Sequence, residues 1–198
     1  MDPLRFAGRD PDVQRAALED ILRADAIVWR AIELARDLDL PDWMIVSGAI
    51  YNSVWNNLTG RPSGYGIKDI DLFYHDASDL SWDAEDVVIQ RGAAYFAGLP
   101  LPVEIRNQAR VHLWYAQRFE GSVPAFRSSA HSLAHFASET HAVGVHLGER
   151  GLTVTAPFGL DHIFALRMVP NRNHNNRITH AEKALRAKAN WPEITIVD

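Results

Sequence analysis

Apolar residues recur at helical spacing along much of the chain. They repeat every three to four residues over 11–38, 49–58 and 81–96, which predicts three helices with one buried face each. Pro11 suits the first turn of the first helix, and Ser81 suits the N-cap of the third. Less complete patterns predict further helices in four later segments, the first of which also fits a loop: 107–118, 128–140, 159–168 and 179–189.

Alternating and short apolar runs predict the strands. Apolar and polar residues alternate over 69–75, so Asp69 and Asp71 lie on one face of a predicted strand. Short apolar runs predict four more strands: 43–46, 103–105, 142–147 and 152–156. Together with the helices, they predict an α+β fold in which a small mixed sheet is flanked by helices and followed by a helical C-terminal part.

Length and composition narrow the class of protein. The 198 residues contain no linker long enough to separate domains. We therefore expect one domain over 1–198, with N-terminal helices at 1–40, a candidate catalytic core at 41–125, and additional strands and C-terminal helices at 126–198. The chain has no cysteine, so neither a disulfide nor cysteine-held zinc can form. It also shows no signal-like start and no apolar run near the roughly 20 residues of a membrane span, so we expect a cytoplasmic protein without a membrane partner.

The charge balance bears on the partner. The chain has 25 acidic and 20 basic residues and a net charge of −5. A protein that binds duplex nucleic acid usually carries a basic excess or stripe. The balance therefore disfavours such a surface, although it leaves nucleic acid open, because a small basic cleft can lie within an acidic total.

Asp69 and Asp71 are the candidate chemical groups of the alternating strand. Side chains two positions apart on a strand lie roughly 6–7 Å apart, and carboxylate oxygens at that separation suit a pair of Mg²⁺ ions. On its own, such a pair is commonly solvated surface. Glu104, between two apolar residues of the strand predicted at 103–105, is placed to offer a third oxygen ligand. The three acids therefore predict a two-metal site for phosphoryl or nucleotidyl transfer.

The turn Ser47-Gly48 precedes the helix predicted at 49–58. Glycine lets the backbone approach a phosphate closely, and the free N–H groups of a helix N-terminus attract an anion. The same residues would also serve as an ordinary turn between a strand and a helix. Beside the three acids, they predict a phosphate site.

These motifs resemble a known group of enzymes. Ser47-Gly48, then Asp69-Ile70-Asp71, then Glu104, resembles the pattern of the polymerase-beta-like nucleotidyltransferase superfamily. From about residue 42 to 192, the chain is also similar to a bacterial family of nucleotidyltransferase-like proteins of unknown substrate. The stretches that carry this likeness are 48–56, 68–74, 107–112 and 158–162.

The resemblance implies roles for the residues of the motifs. Asp69 and Asp71 would bind metal, and Glu104 would be the third acid and a candidate general base. Ser47 and Gly48 would contact the triphosphate. These roles come from the resemblance and are expectations for the structure.

The chain departs from the superfamily pattern in two places. The usual Gly-Ser or Gly-Gly is Gly48-Ala49 here, so the hydroxyl comes from Ser47 or is absent. Asp69 follows Gly48 by 21 residues, which exceeds the usual spacing. The extra length is the loop 59–66, which becomes a candidate wall of a substrate pocket.

Four further residues near the motifs are candidates for binding the nucleotide. Arg110 offers a guanidinium fork for phosphate, and Lys68 could neutralise phosphate charge beside Asp69. Asn52 lies one helical turn after Gly48. Asn107 lies between Glu104 and Arg110, where it could contact a base, a sugar or an acceptor. Structural or surface roles fit each of them as well.

The sequence therefore predicts a Mg²⁺-dependent nucleotidyltransferase with two metal ions, for which Mn²⁺ is a possible substitute. It would transfer a nucleotidyl group from an NTP such as ATP to an acceptor that the motifs do not identify. The acidic balance favours a small molecule or a protein as the acceptor. The alternative is a catalytically weak nucleotide-binding or regulatory module of the same fold.

Histidines suggest a second kind of site. Four of them have spacings compatible with zinc binding: His131, His135, His141 and His146. No glutamate follows His131 in the way that zinc hydrolases require. The pattern therefore does not favour a zinc hydrolase, and the role of the four histidines stays open.

Overall fold

The computed structural model describes residues 2–119, 121–173 and 177–197. Its α-helices are α1 Pro11–Ala24, α2 Ala26–Leu38, α3 Gly48–Thr59, α4 Trp82–Tyr95, α5 Val111–Arg118, α6 Ser129–Leu133, α7 Asp161–Phe164 and α8 Arg177–Asn190. Its strands are β1 Met44–Val46, β2 Ile70–Tyr74, β3 Val103–Asn107, β4 Gly144–Gly148, β5 Gly151–Thr155, β6 Arg167–Met168 and β7 Thr195–Ile196. Within this part of the chain, no helix has the length and apolarity that a membrane crossing requires.

The main sheet is mixed, with the strand order β3-β2-β1-β4-β5. β2 runs parallel to β3, and the other neighbours are antiparallel. Asp71 is on β2, between β1 and β3, and therefore lies opposite Val46 on one side and Glu104 on the other. The α+β fold with a small mixed sheet, predicted from the sequence, is confirmed.

The two faces of β2 have different environments. Ile70, Leu72 and Tyr74 are buried in the main hydrophobic core, which also contains residues of α1, α2, α3 and α8. Asp71 and Phe73 point to the opposite face and are only partly buried. The alternation read from the sequence thus separates a core face from a face that is free to carry chemistry.

The helix predicted at 11–38 is two helices, because Asp25 separates α1 from α2. Asp25 has extended backbone angles (φ −84°, ψ 95°), and its carboxylate accepts a hydrogen bond from the N–H of Val28 at 3.1 Å. The hydroxyls of Ser53 and Ser63 donate to the same carboxylate. The break depends on residues distant in sequence, and no glycine or proline marks it.

The helix predicted at 128–140 is wrong beyond its first turn, because α6 ends at Leu133. The side-chain amide of Asn171 donates to the carbonyl oxygens of Ala134 and Phe136 at 2.8 and 2.9 Å. Ser138 then forms a β-bridge with Pro170. These tertiary bonds replace the helical ones in that segment.

The helix predicted at 159–168 is also wrong over most of its length. Only α7 is helical there, and Leu166 has a positive φ of 52°. β6 follows and pairs in parallel with β7 near the C-terminus. Such a short pairing has no periodicity for a sequence pattern to reveal. The connection between the helices predicted at 159–168 and 179–189 lies partly outside the described residues.

Candidate active site

Two neighbouring parallel strands bring the candidate acids together. Asp71 on β2 is in register with Glu104 on β3, and Asp69 lies two positions before Asp71, just ahead of the strand. Asp69 Oδ2 is 3.2 Å from the Nζ of Lys68, whose side chain is otherwise exposed. Asp71 and Glu104 therefore lie side by side on the sheet face opposite the main core, whereas Asp69 lies close enough to repel Asp71 but does not line the cavity beside that face.

This face of the sheet borders a cavity of about 400 Å³. Its polar lining is contributed by several elements of the fold: Ser47, Asp71, Glu104, Arg106, Gln108, Arg118, Ser132, His135, His141, Thr179 and Lys183. Its apolar and aromatic lining comes mainly from α5 and the segment after it: Phe73, Val111, Trp114, Tyr115, Phe119, Val123, Phe126 and Phe136. The cavity thus has a charged end and an aromatic end.

The aromatic end has a small core of its own. Val111, Tyr115, Val123 and Phe126 form a cluster of buried residues separate from the main core, with Trp114 packed against it. We call residues 111–126 the aromatic lobe; residue 120 lies outside the described part of the chain. The lobe forms the aromatic end of the cavity, and its core is separate from the main core that packs on the sheet.

The carboxylate of Asp71 is electrostatically unfavourable in its ionised form. Burial, followed by repulsion from Asp69 and more weakly from Glu104, raises the pKa of Asp71 from 3.8 to about 6. Lys183 and Arg106 act in the opposite direction. The amine of Lys183 has a lowered pKa because burial outweighs the attraction of Asp71 and Asp69. The charged end is thus an acidic cluster that faces partly desolvated cations.

The donor chemistry at this end fits a divalent cation. Asp69 and Asp71 offer hard carboxylate oxygens, and their mutual repulsion is the kind of unfavourable energy that a bound cation offsets. Over the described residues, no three histidine, aspartate or glutamate side chains are grouped closely enough to hold a metal ion together. Glu104 Oε2 instead lies 3.4 Å from Arg106 Nη2. The two aspartates fit such an ion directly, whereas Glu104 would have to leave Arg106.

The turn before α3 is strained. Ser47 has a φ of 57° and a ψ of −115°, which is rare for a residue with a side chain. Its N–H donates to the carbonyl oxygen of Val143 at 2.8 Å, and its own carbonyl accepts from Ile50 and Tyr51. Neighbouring elements thus hold the strained backbone, which is common at functional sites. The N-terminus of α3 lies beside the cavity as a result.

Gly48 has space around it. An added Cβ would meet only the Nδ2 of Asn52, at 3.8 Å. By contrast, a Cβ on Gly144 would lie 2.8 Å from the Sδ of Met44. Protein packing therefore does not require a glycine at position 48. Asn52 is buried, does not line the cavity, and has an Oδ1 with no hydrogen-bond partner among the described residues.

Asn107 and Arg110 are not among the residues that line the cavity, although the sequence made them nucleotide-binding candidates. Both are buried in a network centred on Glu85, whose Oε2 pairs with Arg110 and whose Oε1 accepts from the N–H of Asn107 at 2.8 Å. Arg110 Nε also donates to the carbonyl of Leu80 at 2.9 Å. The side chain of Asn107 bonds to the backbone of Asp76 and Ala109. In this structure, these two residues support the sheet edge.

Sequence reasoning missed three residues of the charged end: Arg106, His141 and Lys183. Arg106 alternates with buried residues on β3, so extending the predicted strand by two positions would have revealed it. Lys183 comes from α8, more than 100 positions after Asp71, and only the packing of α8 brings it near. His141 was considered only as a metal ligand.

The four histidines of the zinc hypothesis lie in different surroundings. The rings of His131 and His135 are 5.4 Å apart, whereas His141 stacks on Tyr51 and His146 packs against Trp43. The described residues include no group of three histidine, aspartate or glutamate side chains that could hold a metal ion. The structure therefore supplies no support for a zinc site there.

The chain is similar to known proteins over most of its length. A family model described as Nucleotidyltransferase matches residues 33–196. The chain belongs to this nucleotidyltransferase family. A structure solved by NMR, described as revealing a CCA-adding enzyme head domain, has the same fold, with a TM-score of 0.76 and 20% sequence identity over 91% of this chain and 94% of that chain. No match was found among curated proteins.

Membership of the nucleotidyltransferase family confirms the resemblance drawn from the Ser47-Gly48, Asp69-Ile70-Asp71 and Glu104 motifs. The structural likeness, at 20% identity, supports the polymerase-beta-like fold and nothing finer. The roles of individual residues therefore rest on the geometry of the cavity.

Proposed function

We propose that the protein transfers a nucleotidyl group from an NTP to a small-molecule acceptor held in the cavity. The observation that carries the proposal is the position of Asp71. It is in register with Glu104, two residues from Asp69, and on a cavity wall shared with the turn before α3. Family membership supports the class of reaction, and the geometry supports the assignment of residues.

Divalent cations, Mg²⁺ in the first instance, would be held by Asp69 and Asp71, with Glu104 completing the set after it leaves Arg106. Bound there, the ions would neutralise charge on the phosphates and on the attacking oxygen. A bound cation would stabilise the ionised carboxylate of Asp71, which is the form that burial disfavours. Cation binding would therefore relieve the unfavourable energy of this charge.

The remaining residues would position the NTP. The first N–H groups of α3, at Gly48 and Ala49, have no acceptor within the helix and face a site for phosphate oxygens. Lys183 lies near Asp71 from the other side and would offset charge on the phosphate chain. Lys68 is exposed beside Asp69, at the mouth of the site. Positioning and charge neutralisation supply most of the rate in this chemistry.

In the reaction, an oxygen of the acceptor attacks the α-phosphorus of the NTP. A new P–O bond forms, the bond between the α-phosphorus and the bridging oxygen breaks, and pyrophosphate leaves. The proton of the acceptor hydroxyl passes to a carboxylate of the site, for which Glu104 is the candidate because it is exposed and adjacent to Asp71. The net products are the nucleotidylated acceptor and pyrophosphate.

The form of the cavity favours a small acceptor. About 400 Å³ lies within the range of small-molecule sites, roughly 300–1,000 Å³. Its aromatic end offers the flat apolar surfaces of Trp114, Phe119 and Phe126. The net charge of −5 gives no general attraction for a polynucleotide. We therefore propose an acceptor that carries a hydroxyl and an apolar or planar portion.

The test is transfer of label from each of the four α-labelled NTPs, with Mg²⁺, to a library of hydroxylated small molecules. We expect transfer with pyrophosphate release, and its loss in Asp69→Asn and Asp71→Asn. Asp20→Asn is the matched control, because Asp20 is an exposed carboxylate of α1 remote from the cavity. Full activity in both site variants would overturn the assignment of the two aspartates.

A second outcome would identify the alternative function. If the protein binds NTP with saturation but releases no pyrophosphate with any acceptor, it is a nucleotide-binding module of the same fold. Label transfer to a protein or to a polynucleotide, and not to small molecules, would keep the reaction class and overturn the acceptor class.

A further inference from the structure

One buried polar atom on the cavity wall lacks a partner. His141 ends a short 3-10 helix, Glu139–His141, and is only 1% exposed. Its ring stacks on that of Tyr51, with centroids 4.8 Å apart and planes at 20°. Its Nε2 makes no hydrogen bond to any described residue, and the residue lines the cavity together with Asp71 and Lys183.

Such an atom needs an explanation. Most buried polar groups in native proteins have a partner, because an unpartnered one costs stability. The Nδ1 atoms of His112 and His162 also lack a hydrogen-bond partner among the described residues, but neither residue lines the cavity. His141 differs from them because a ligand in the cavity can reach its wall.

The surroundings of His141 indicate the charge of the missing partner. Two residues further along, Val143 accepts the hydrogen bond from Ser47 that holds the turn before α3. The imidazole also stacks on Tyr51 in the first turn of α3, so it lies close to the N-terminus of that helix, which is electropositive. The cationic residues Lys183 and Arg186 of α8 also act on it, after burial, to lower the pKa of His141. A neutral imidazole beside these cations is suited to donate a hydrogen bond to an anionic oxygen.

We propose that His141 is a nucleotide-binding residue whose Nε2–H donates to an oxygen of the phosphate chain of the NTP. The inference rests on the proposed function, since it assumes that the cavity binds an NTP. It adds a contact from the segment before β4 to those of the turn before α3 and of α8. The stacking on Tyr51 holds the imidazole ring in place for that bond.

Two substitutions distinguish the contribution of the His141 ring from that of its Nε2 atom. His141→Phe keeps a flat ring that can stack on Tyr51 and removes Nε2. His141→Gln removes the ring and places an amide nitrogen near the position of Nε2. His112→Phe is the matched control, because it also removes an unpartnered histidine nitrogen, but one outside the cavity.

The measurement is calorimetric binding of a non-hydrolysable NTP analogue with Mg²⁺, supported by KM and kcat. We expect His141→Phe to weaken binding about tenfold, to raise KM for the NTP by a similar factor, and to leave the melting temperature unchanged or higher. His141→Gln should recover part of the affinity, and His112→Phe should bind as the wild type does. Equal affinity of wild type and His141→Phe would overturn the inference.

Three probes identify the part of the nucleotide that is contacted. Inorganic triphosphate should lose affinity in His141→Phe by the same factor as the NTP analogue, and a nucleoside should lose none. A loss that is confined to the nucleoside would overturn the phosphate assignment. If Asp71→Asn abolishes transfer while His141→Phe does not weaken binding, the inference fails and the proposed function stands. If Asp71→Asn retains full transfer, the proposed function is contradicted, and the inference that rests on it is contradicted as well.

Discussion

Two groups of buried polar residues lie on opposite sides of β3, and they differ in the completeness of their hydrogen bonding. Glu85, Arg110 and Asn107 form a network in which the charges are paired and the amide of Asn107 bonds through both its oxygen and its nitrogen. At the charged end of the cavity, Asp71 repels its acidic neighbours and His141 has a nitrogen without a described partner. Both groups combine acidic and basic side chains, yet only in the first are the charges paired and hydrogen-bonded within the protein.

The difference separates scaffold from site. A complete buried network stabilises one arrangement of its elements, and this one joins α4, β3 and the start of α5. An incomplete network reduces stability and is retained where a ligand completes it. By this criterion, we assign Arg110 to the scaffold and propose Lys183, His141 and Asp71 as residues of the site.

The largest effect is expected from Asp71→Asn. We expect kcat to fall by at least about 10²–10³-fold, while the free energy of unfolding at pH 7 rises by about 1–3 kcal/mol, because the variant removes a charge that burial and Asp69 disfavour. Activity assays and chemical denaturation without divalent cations measure the two quantities. If Asp71→Asn is active and less stable than the wild type, Asp71 contributes to stability as the Glu85 network does, and the distinction between site and scaffold is contradicted.

The opposite behaviour is expected from Arg110→Met. The substitution leaves the carboxylate of Glu85 buried without its cation, and removing one partner of such a pair costs roughly 3–5 kcal/mol. Denaturation should show this loss, while KM for the NTP stays unchanged at a temperature where the variant is folded. A raised KM with normal stability would instead support the nucleotide-binding role that the sequence indicated.

The dependence of stability on pH gives a third comparison. The folded state holds a proton on Asp71 up to about pH 6, whereas the unfolded chain releases it near 3.8. Between these values the folded state binds more protons, so the contribution of Asp71 to stability falls as the pH rises. The unfolding free energy of the wild type, minus that of Asp71→Asn, should fall by about 1–3 kcal/mol from pH 4 to pH 6.5 without divalent cations. A constant difference would contradict the pKa of Asp71.

Lys183→Met tests the cation that faces the acids. Burial already lowers the pKa of this amine, so we expect unchanged or higher stability, together with about tenfold weaker NTP binding. Lys188→Met, on the same helix, should lower stability and leave NTP binding unchanged. Lys188 donates to the carbonyl oxygens of Pro192 and Ile194, and the variant removes both hydrogen bonds. Calorimetry and thermal denaturation of the two variants decide between these roles. Unchanged NTP affinity in Lys183→Met would exclude it from the site.

The smallest effect is expected from Gly48→Ala. The added Cβ meets no atom closer than 3.8 Å, and alanine favours a helix, so stability should be equal to that of the wild type or up to about 1 kcal/mol higher. If phosphates approach this backbone, KM for the NTP should rise roughly threefold or more. Gly144→Ala, where the Cβ would clash with Met44, should lower stability instead. An unchanged KM in Gly48→Ala would place the phosphates elsewhere.

Local patterns predicted the elements whose stability is local. Alternation identified β2 and assigned Asp71 and Leu72 to opposite faces, and the N-cap at Ser81 was correct, as its hydroxyl accepts from Ala84 at 3.2 Å. The predictions that were wrong fell where distant residues decide the backbone. Asn171 ends α6, and Ser53 with Ser63 holds the break at Asp25.

The sequence by itself determined the family, the α+β class and the order of the acidic motif. Asp69, Asp71 and Glu104 belong to short segments whose local patterns predict strands. Only the tertiary structure decided which polar residues have their hydrogen-bond partners within the protein and which face the cavity. Hydrogen-bond partners and burial depend on elements more than 100 positions apart, such as β2 and α8, and no local pattern records that distance. For this reason Arg110 and Lys183, both cations in the sequence, have different roles in the folded protein.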